Sequence, residues 1–438
     1  LRFMMRRVVV TGLGVICPLG VGAQAFWANL LAGQVGVRRI SLFDPAGFPC
    51  QVAGQCPDYK ITDFVPKSYR KATKVMARDI ELAVVAADDA FRDSGLKSKA
   101  FSDAPTIPVR RFGCNIGAGL ISADLAELAA GMDVARSADQ PNRLDLRLWG
   151  GAGMNQLTPL WLLKYLPNML ACHVTIVHGL MGPSNTITCA DASSHLAIGE
   201  AFRTIQRGDA DLAICGGAES KLNPMGLLRQ TLLKRLAEDS NDAPQNAVRP
   251  FDQSAAGTAV AEGGGLLILE ELEHARARGA KIYAELVGFG ASQDTHKLTD
   301  PDPTGHSYAA AIRKALADAR ATPDDVGLVV PHGLGLPAHD RAELAGLTTA
   351  LGPRLSTVPF APIKAQVGNL AAGSGVDVAA TILAIHHRQV PPAVNTRNPL
   401  DATPLNIAPT PRDAKIDVAV TSVYSLGGQN AALVFKAP

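Results

Sequence analysis

The stretch NTITCADASSHLAIG, residues 185–199, holds the key to the chain. A β-branched run ends in small residues, and apolar positions then recur at helical spacing, so a strand, a tight corner and a helix are expected. Many α/β folds present a reactive side chain this way, because the amides and the dipole at a helix N-terminus favour an anion. Two side chains at this corner qualify, Cys189 and Asp191. Aspartate is also among the best N-cap residues, contributing about 1 kcal/mol over alanine, so Asp191 has an ordinary structural role open to it as well.

The rest of the chain alternates in the same manner. Strand patterns at RRVVVTGLG, VRRFGCNIGAG and ADLAICGGAES are separated by helical patterns at RDIELAVVAADDAFRDSG, PLWLLKYLPNMLACHVTIVHG and SSHLAIGEAFRTIQRG. After residue 255 the rhythm starts again, which predicts an α/β fold of two comparable halves, residues 1–250 and 251–438. Residues 97–155 are the least regular, and the polar run ARSADQPNRLD within them reads as a surface excursion or lid.

Composition narrows the partners. With 42 basic against 40 acidic residues there is no bulk attraction to nucleic acid or to an anionic membrane. Small molecules or other proteins are the expected partners. The 7 cysteines form no CxxC pair and no zinc pattern, so neither a metal nor a disulfide framework is expected, and a reduced, cytoplasmic setting is. No apolar run reaches the ~20 residues that span a bilayer, and the first residues lack a signal-peptide pattern.

Several loops carry further chemistry. GLGVICPLG follows a strand, but Cys17 occupies the third glycine position of a dinucleotide fingerprint, so a tight turn is the better account of Gly12 and Gly14. HGLGLPAHD places His332 at a strand end, where α/β proteins set working residues. PIKAQVGNL supplies Lys364 and Asn369. In VAEGGGLLILEE, Glu262 lies in an apolar run, where a carboxylate needs a cation, and Lys364 is its expected partner.

The order and wording of these segments, with PNMLACHVTIVHGLMGPSNT, RPFDQSAAGTAVAEGGG, PIKAQVGNLAAGSG and SLGGQNAALVFK, resemble the elongating β-ketoacyl-acyl carrier protein synthases almost from end to end. The resemblance implies a thiolase-like fold of two duplicated α/β halves in a five-layered αβαβα arrangement, usually dimeric. It implies no bound cofactor. The substrates would be phosphopantetheine-borne acyl thioesters on an acyl carrier protein or coenzyme A, with a homodimer, or a heterodimer with a cysteine-containing synthase, as the assembly.

Aligned on Ile198 and Gly199, the family's nucleophilic cysteine falls on Asp191, and Cys189 lies two residues earlier, on the strand. His332 matches the first catalytic histidine, and Asn369 stands in place of the second. Leu334 and Leu336 replace two hydroxyl residues that hold the pantetheine arm, Thr299 keeps another arm contact, and Leu426 takes the place of a gating phenylalanine. The resemblance also implies that Lys364 and Glu262 form a structural ion pair. Condensation through an acyl-cysteine is therefore expected to be absent or very weak in a fatty-acid or polyketide synthase relative. The alternatives are a non-catalytic, chain-length-factor-like partner, a malonyl-thioester decarboxylase and a thioester hydrolase.

Overall fold

A computed structural model describes residues 5–400 and 404–438. Strand β1, Val8–Cys17, is buried along its whole length, and its alternation of Val, Leu and Ile with small residues suits a strand covered on both faces. Beyond a short helix at Ala23–Leu31 come helix α1, Arg78–Ser94, and then β2, Phe112–Ala118. Gly12 and Gly14 therefore lie inside β1 and not at the expected turn. Their reason is steric: a Cβ on Gly14 would fall within the backbone carbonyl of Ala86 on α1, so glycine lets helix and strand close together.

The expected helix through residues 159–179 is shortened by Pro167, and α2 spans Met169–His178. Next come β3, Ser184–Ile187, helix α3, Ser193–Gln206, and β4, Leu212–Ser220. Helix α4 covers Pro224–Leu232, β5 Glu262–Glu271 and β6 Ala284–Gln293. The chain continues through α5, His306–Asp318, β7, Leu328–Val330, and α6, Pro337–Leu351. Helix α7, Gly375–His387, and strands β8, Val418–Tyr424, and β9, Gln429–Lys436, complete it.

Among the described residues the long strands form one sheet in the order β7-β8-β9-β6-β1-β5-β4-β2-β3. Two halves meet at a short seam, because β1 pairs with β5 from Val8 to Ile16 but with β6 only from Val8 to Val10. On one side β3, β2 and β4 are parallel, and β5 and β1 then run antiparallel. On the other, β7 is parallel to β8, and β9 and β6 follow antiparallel. The two halves thus share a strand grammar, as a duplicated thiolase-like α/β fold requires.

Helices α3 and α7 lie between the halves, touching strands of both, while α1 and α2 cover one outer face and α5 and α6 the other. Each layer boundary has its own apolar core. Ile198, Phe202 and Ile205 of α3 meet Val376, Ala380 and Leu383 of α7 in the middle, and Ile80, Val84 and Phe91 of α1 pack on Phe112 and Ile116 outside. The expected division near residue 250 falls in a buried stretch, with Ala247, Val248 and Phe251 all enclosed, and β5 beyond it pairs with β1 and β4. No described helix is long and apolar enough to cross a membrane.

Gly14→Ala is expected to cost about 1–3 kcal/mol through overpacking between α1 and β1. Urea unfolding would show a lower midpoint at an unchanged slope; an unchanged midpoint would contradict the close approach.

Candidate active site

The corner that opens α3 is held by its own backbone. Ala190 adopts a left-handed φ of 46°, strained for a residue with a Cβ. Ser193 steadies the bend: its Oγ accepts from the Cys189 amide at 2.8 Å and donates to the Ala190 carbonyl at 2.7 Å. From the far half, Ser374 Oγ donates to the Asp191 carbonyl at 2.8 Å. Gly117 lets β2 pass beside Ser193, where a Cβ would strike the Ser193 backbone.

This corner points the Asp191 side chain into a cavity of about 360 Å³ walled also by Lys221, Arg229, Gln230, Arg235 and Leu426. Asp191 is buried and its Oδ1 has no hydrogen-bond partner. It caps no helix, because α3 continues from a short 3₁₀ turn without a side-chain cap. Cys189 sits just past the end of β3, not on the strand, and packs with Ala192, Leu196, Phe289, Val423 and Ala431. Partial burial pushes its thiol up. All seven cysteines are free, and none walls the cavity.

His332 follows β7, as the sequence suggests, and its Nε2 stands 3.7 Å from Asp191 Oδ1. Its loop is fixed by two buried carboxylates: Glu343 accepts the His332 and Gly333 amides at 2.7 and 2.9 Å, and Asp340 accepts those of Leu334 and Gly335 at 3.1 and 3.0 Å. Both ring nitrogens of His332 are unpartnered. Tyr424 meets this ring edge-on at 5.0 Å and stacks on His339 at 5.6 Å.

Burial and charge together decide the protonation states. Burial opposes ionisation of Asp191, but the positive field of Arg235, with Lys221 and Lys364, holds its carboxyl below the usual range. Burial pushes His332 far below an ordinary histidine; Asp191 pulls it up, while Lys364 and Arg235 push it down further. The result is a carboxylate beside a neutral imidazole. His195, one turn into α3, is pushed down to about 3 by burial and then by Lys364.

One expectation fails here. Lys364 pairs with Asp377 of α7, not with Glu262, and both partners are fully enclosed. Glu262 is instead held by Arg78, whose Nε and Nη2 reach its two oxygens at 2.9 and 2.6 Å, and it also accepts from Ser220 Oγ at 3.0 Å. Arg78 offers a forked donor matched to a carboxylate, which a lysine lacks. Glu262 thus lies outside the Asp191 cavity, while Lys364 acts on the cavity through its charge.

Asn369 is buried, with its Oδ1 accepting from the Ala371 amide at 2.9 Å. Leu334 and Leu336 are buried in an apolar cluster with Phe251 and Phe360, and neither walls the cavity. Thr299 is exposed in a separate cleft beside His339 and Tyr424. Leu426 does line the cavity. Sequence reading missed Arg235, because LLKRLAED looks like any solvent-facing charged turn, yet Arg235 is 5% exposed. No cluster of three or more metal-ligating side chains occurs among the described residues.

Comparison with known proteins agrees with this architecture. The model described as "Beta-ketoacyl synthase, N-terminal domain" matches residues 5–275, and the "C-terminal domain" model matches residues 283–397. The chain is 35% identical over 434 residues to the 3-oxoacyl-[acyl-carrier-protein] synthase 2 of Vibrio harveyi, covering 98% of each. Among solved structures it is similar to the ishigamide ketosynthase/chain length factor, with a TM-score of 0.85 at 29% identity, covering 99% of this chain and 100% of that one. A type II polyketide synthase acyl-carrier protein in complex with its ketosynthase, bound to the hexaketide, gives 0.82 at 28% identity, with coverage of 99% and 100%.

Lys364→Met is expected to cost about 3–5 kcal/mol by leaving Asp377 buried and unpaired. In double-mutant cycles, Arg78→Met and Glu262→Gln should couple by about 1–3 kcal/mol, and Lys364→Met with Glu262→Gln by less than about 0.5 kcal/mol. The reverse ranking would restore the pairing expected from sequence.

Proposed function

The chain belongs to the β-ketoacyl synthase family, and from that premise we propose that it is a member unable to carry an acyl chain. It acts in fatty-acid or polyketide biosynthesis as a chain-length-factor-like partner of a synthase that has its cysteine. The observation behind this reading is that the corner opening α3 sends a carboxylate, and no thiol, into the cavity beside His332.

The chemistry follows from that exchange. A cysteine thiolate attacks a carrier-borne thioester, and the new thioester keeps the acyl group until a carbanion takes it. Attack by Asp191 would give a mixed anhydride, which water cleaves far faster than a thioester, so no acyl group would be stored for carbon–carbon bond formation. The cations that wall the cavity, Arg229 and Arg235, would also hold a malonyl carboxylate in its ionised ground state and so oppose its loss as carbon dioxide, the step that generates the carbanion. Leu334 and Leu336, turned into the core, offer no hydroxyl to a pantetheine arm.

Partnering has its own support. Among the described residues strand β3 lies at the edge of the sheet and pairs only with β2, and Ser184 and Asn185 are exposed. Nearby Ile176 and Met181 are 49% and 66% exposed, so an open strand edge borders apolar surface. Such an edge suits pairing with the same strand of a sister subunit. The carrier protein is then met by the assembled pair.

Incubation of the chain with acyl- and malonyl-acyl carrier protein, followed by intact mass and product analysis, is expected to show no acyl adduct, no condensation product and no carbon dioxide. With a cysteine-bearing sister synthase it is expected to form a stable complex. An adduct on Cys189, or carbon dioxide release that needs His332, would overturn the reading. Asp191→Cys is expected to accept an acyl group at residue 191, because Arg235 would favour its thiolate; failure of a folded variant to do so would contradict the proposed role of the corner.

A further inference from the structure

We propose that the cavity above Asp191 binds a carboxylate-headed alkyl chain, with Arg235 as the anchor of its head. This rests on the reading that no acyl group is bonded to residue 191, which leaves the space free for a ligand held without a covalent bond.

The first support is an arginine whose side chain has no hydrogen-bond partner among the described residues. Arg235 is buried, and its Nε is sealed from solvent. A buried guanidinium in this state is costly unless an anion or water completes it.

The second is the balance of charge in the wall. Lys221 is neutralised by Glu219 behind it. Arg229 donates to Ser122 Oγ at 2.9 Å and meets no carboxylate among the described residues. Asp191 offsets one of the two arginines, which leaves one guanidinium uncompensated. A single negative charge fits that surplus, and the unpartnered acceptors Asp191 Oδ1 and Gln230 Oε1 would repel a second. The cations also hold a bound carboxylate in its ionised ground state, which discourages its loss as carbon dioxide.

The third is shape. The cavity, about 360 Å³, lies within the range of small-molecule sites. Its rim is apolar and open, with Leu120 67%, Leu232 73% and Leu233 39% exposed. A charged floor under an apolar rim matches an amphiphile with one ionised end. That end can belong to a free carboxylic acid or to the far terminus of a dicarboxylyl thioester.

Isothermal titration calorimetry on the full chain would use four probes: octanoate, methyl octanoate, suberyl-pantetheine and octanoyl-pantetheine. At least one carboxylate probe is expected to bind about tenfold or more tighter than its uncharged counterpart, and Arg235→Gln to remove that advantage while Arg235→Lys retains part of it. Preference for octanoate assigns the free acid, and preference for suberyl-pantetheine the thioester. Charged and uncharged probes binding alike, or no carboxylate saturating at millimolar concentration, would overturn the proposal. Should Arg235→Gln fail to fold by circular dichroism, the probe comparison on the unmodified chain decides alone. An acyl adduct by intact mass would refute the preceding reading, whereas equal binding of acid and ester would refute only this one.

Discussion

A carboxylate enclosed at the floor of a cavity stays ionised only where cations stand close enough to offset its lost hydration. Asp191 depends on that compensation, chiefly from Arg235, with Lys221 and Lys364 behind. Both halves of the fold contribute: Arg235 and Lys221 come from segments flanking α4, and Lys364 lies ahead of α7, tied to Asp377. The middle layer is therefore an electrostatic unit as well as an apolar one. Burial keeps His332 neutral, and the cations keep Asp191 anionic, at a separation of 3.7 Å.

On the proposed reading, the same constraint explains how the framework of a condensing enzyme persists without its chemistry. The loop of His332 is fixed by Asp340 and Glu343 through backbone amides, and the corner of α3 by Ser193 and Ser374. None of these contacts needs a thiol at residue 191. On that reading, a carboxylate in place of sulfur leaves the backbone frame intact and turns the cavity from a neutral acyl chain bonded to the protein toward ligands that answer a surplus guanidinium.

Much of the fold was legible because its signals are local. The helical spacing after Asp191, the strand before His332 and the repeated alternation beyond residue 255 each follow from side-chain periodicity. Gly12 and Gly14 misled because a strand glycine admitting a helix looks, in sequence, like a turn glycine; only the neighbouring Ala86 carbonyl distinguishes them. Glu262 announced its need for a cation, but which cation meets it is a long-range matter, settled by Arg78 184 residues away. Arg235 carried no signal at all, since burial of a charged turn depends on what packs over it. Asp191 and Leu426 were placed by collinearity with a family, and the cavity brings both to one wall.

The most direct test of an ionised, Arg235-held carboxylate at the cavity floor is a carbon-13 titration of the Asp191 carboxyl, assigned by difference from Asp191→Asn. The group should remain ionised as the pH falls to about 3.9, the ordinary value for aspartate, and Arg235→Gln should move its midpoint upward. A midpoint above that value in the unmodified chain, or one indifferent to the loss of Arg235, would contradict it.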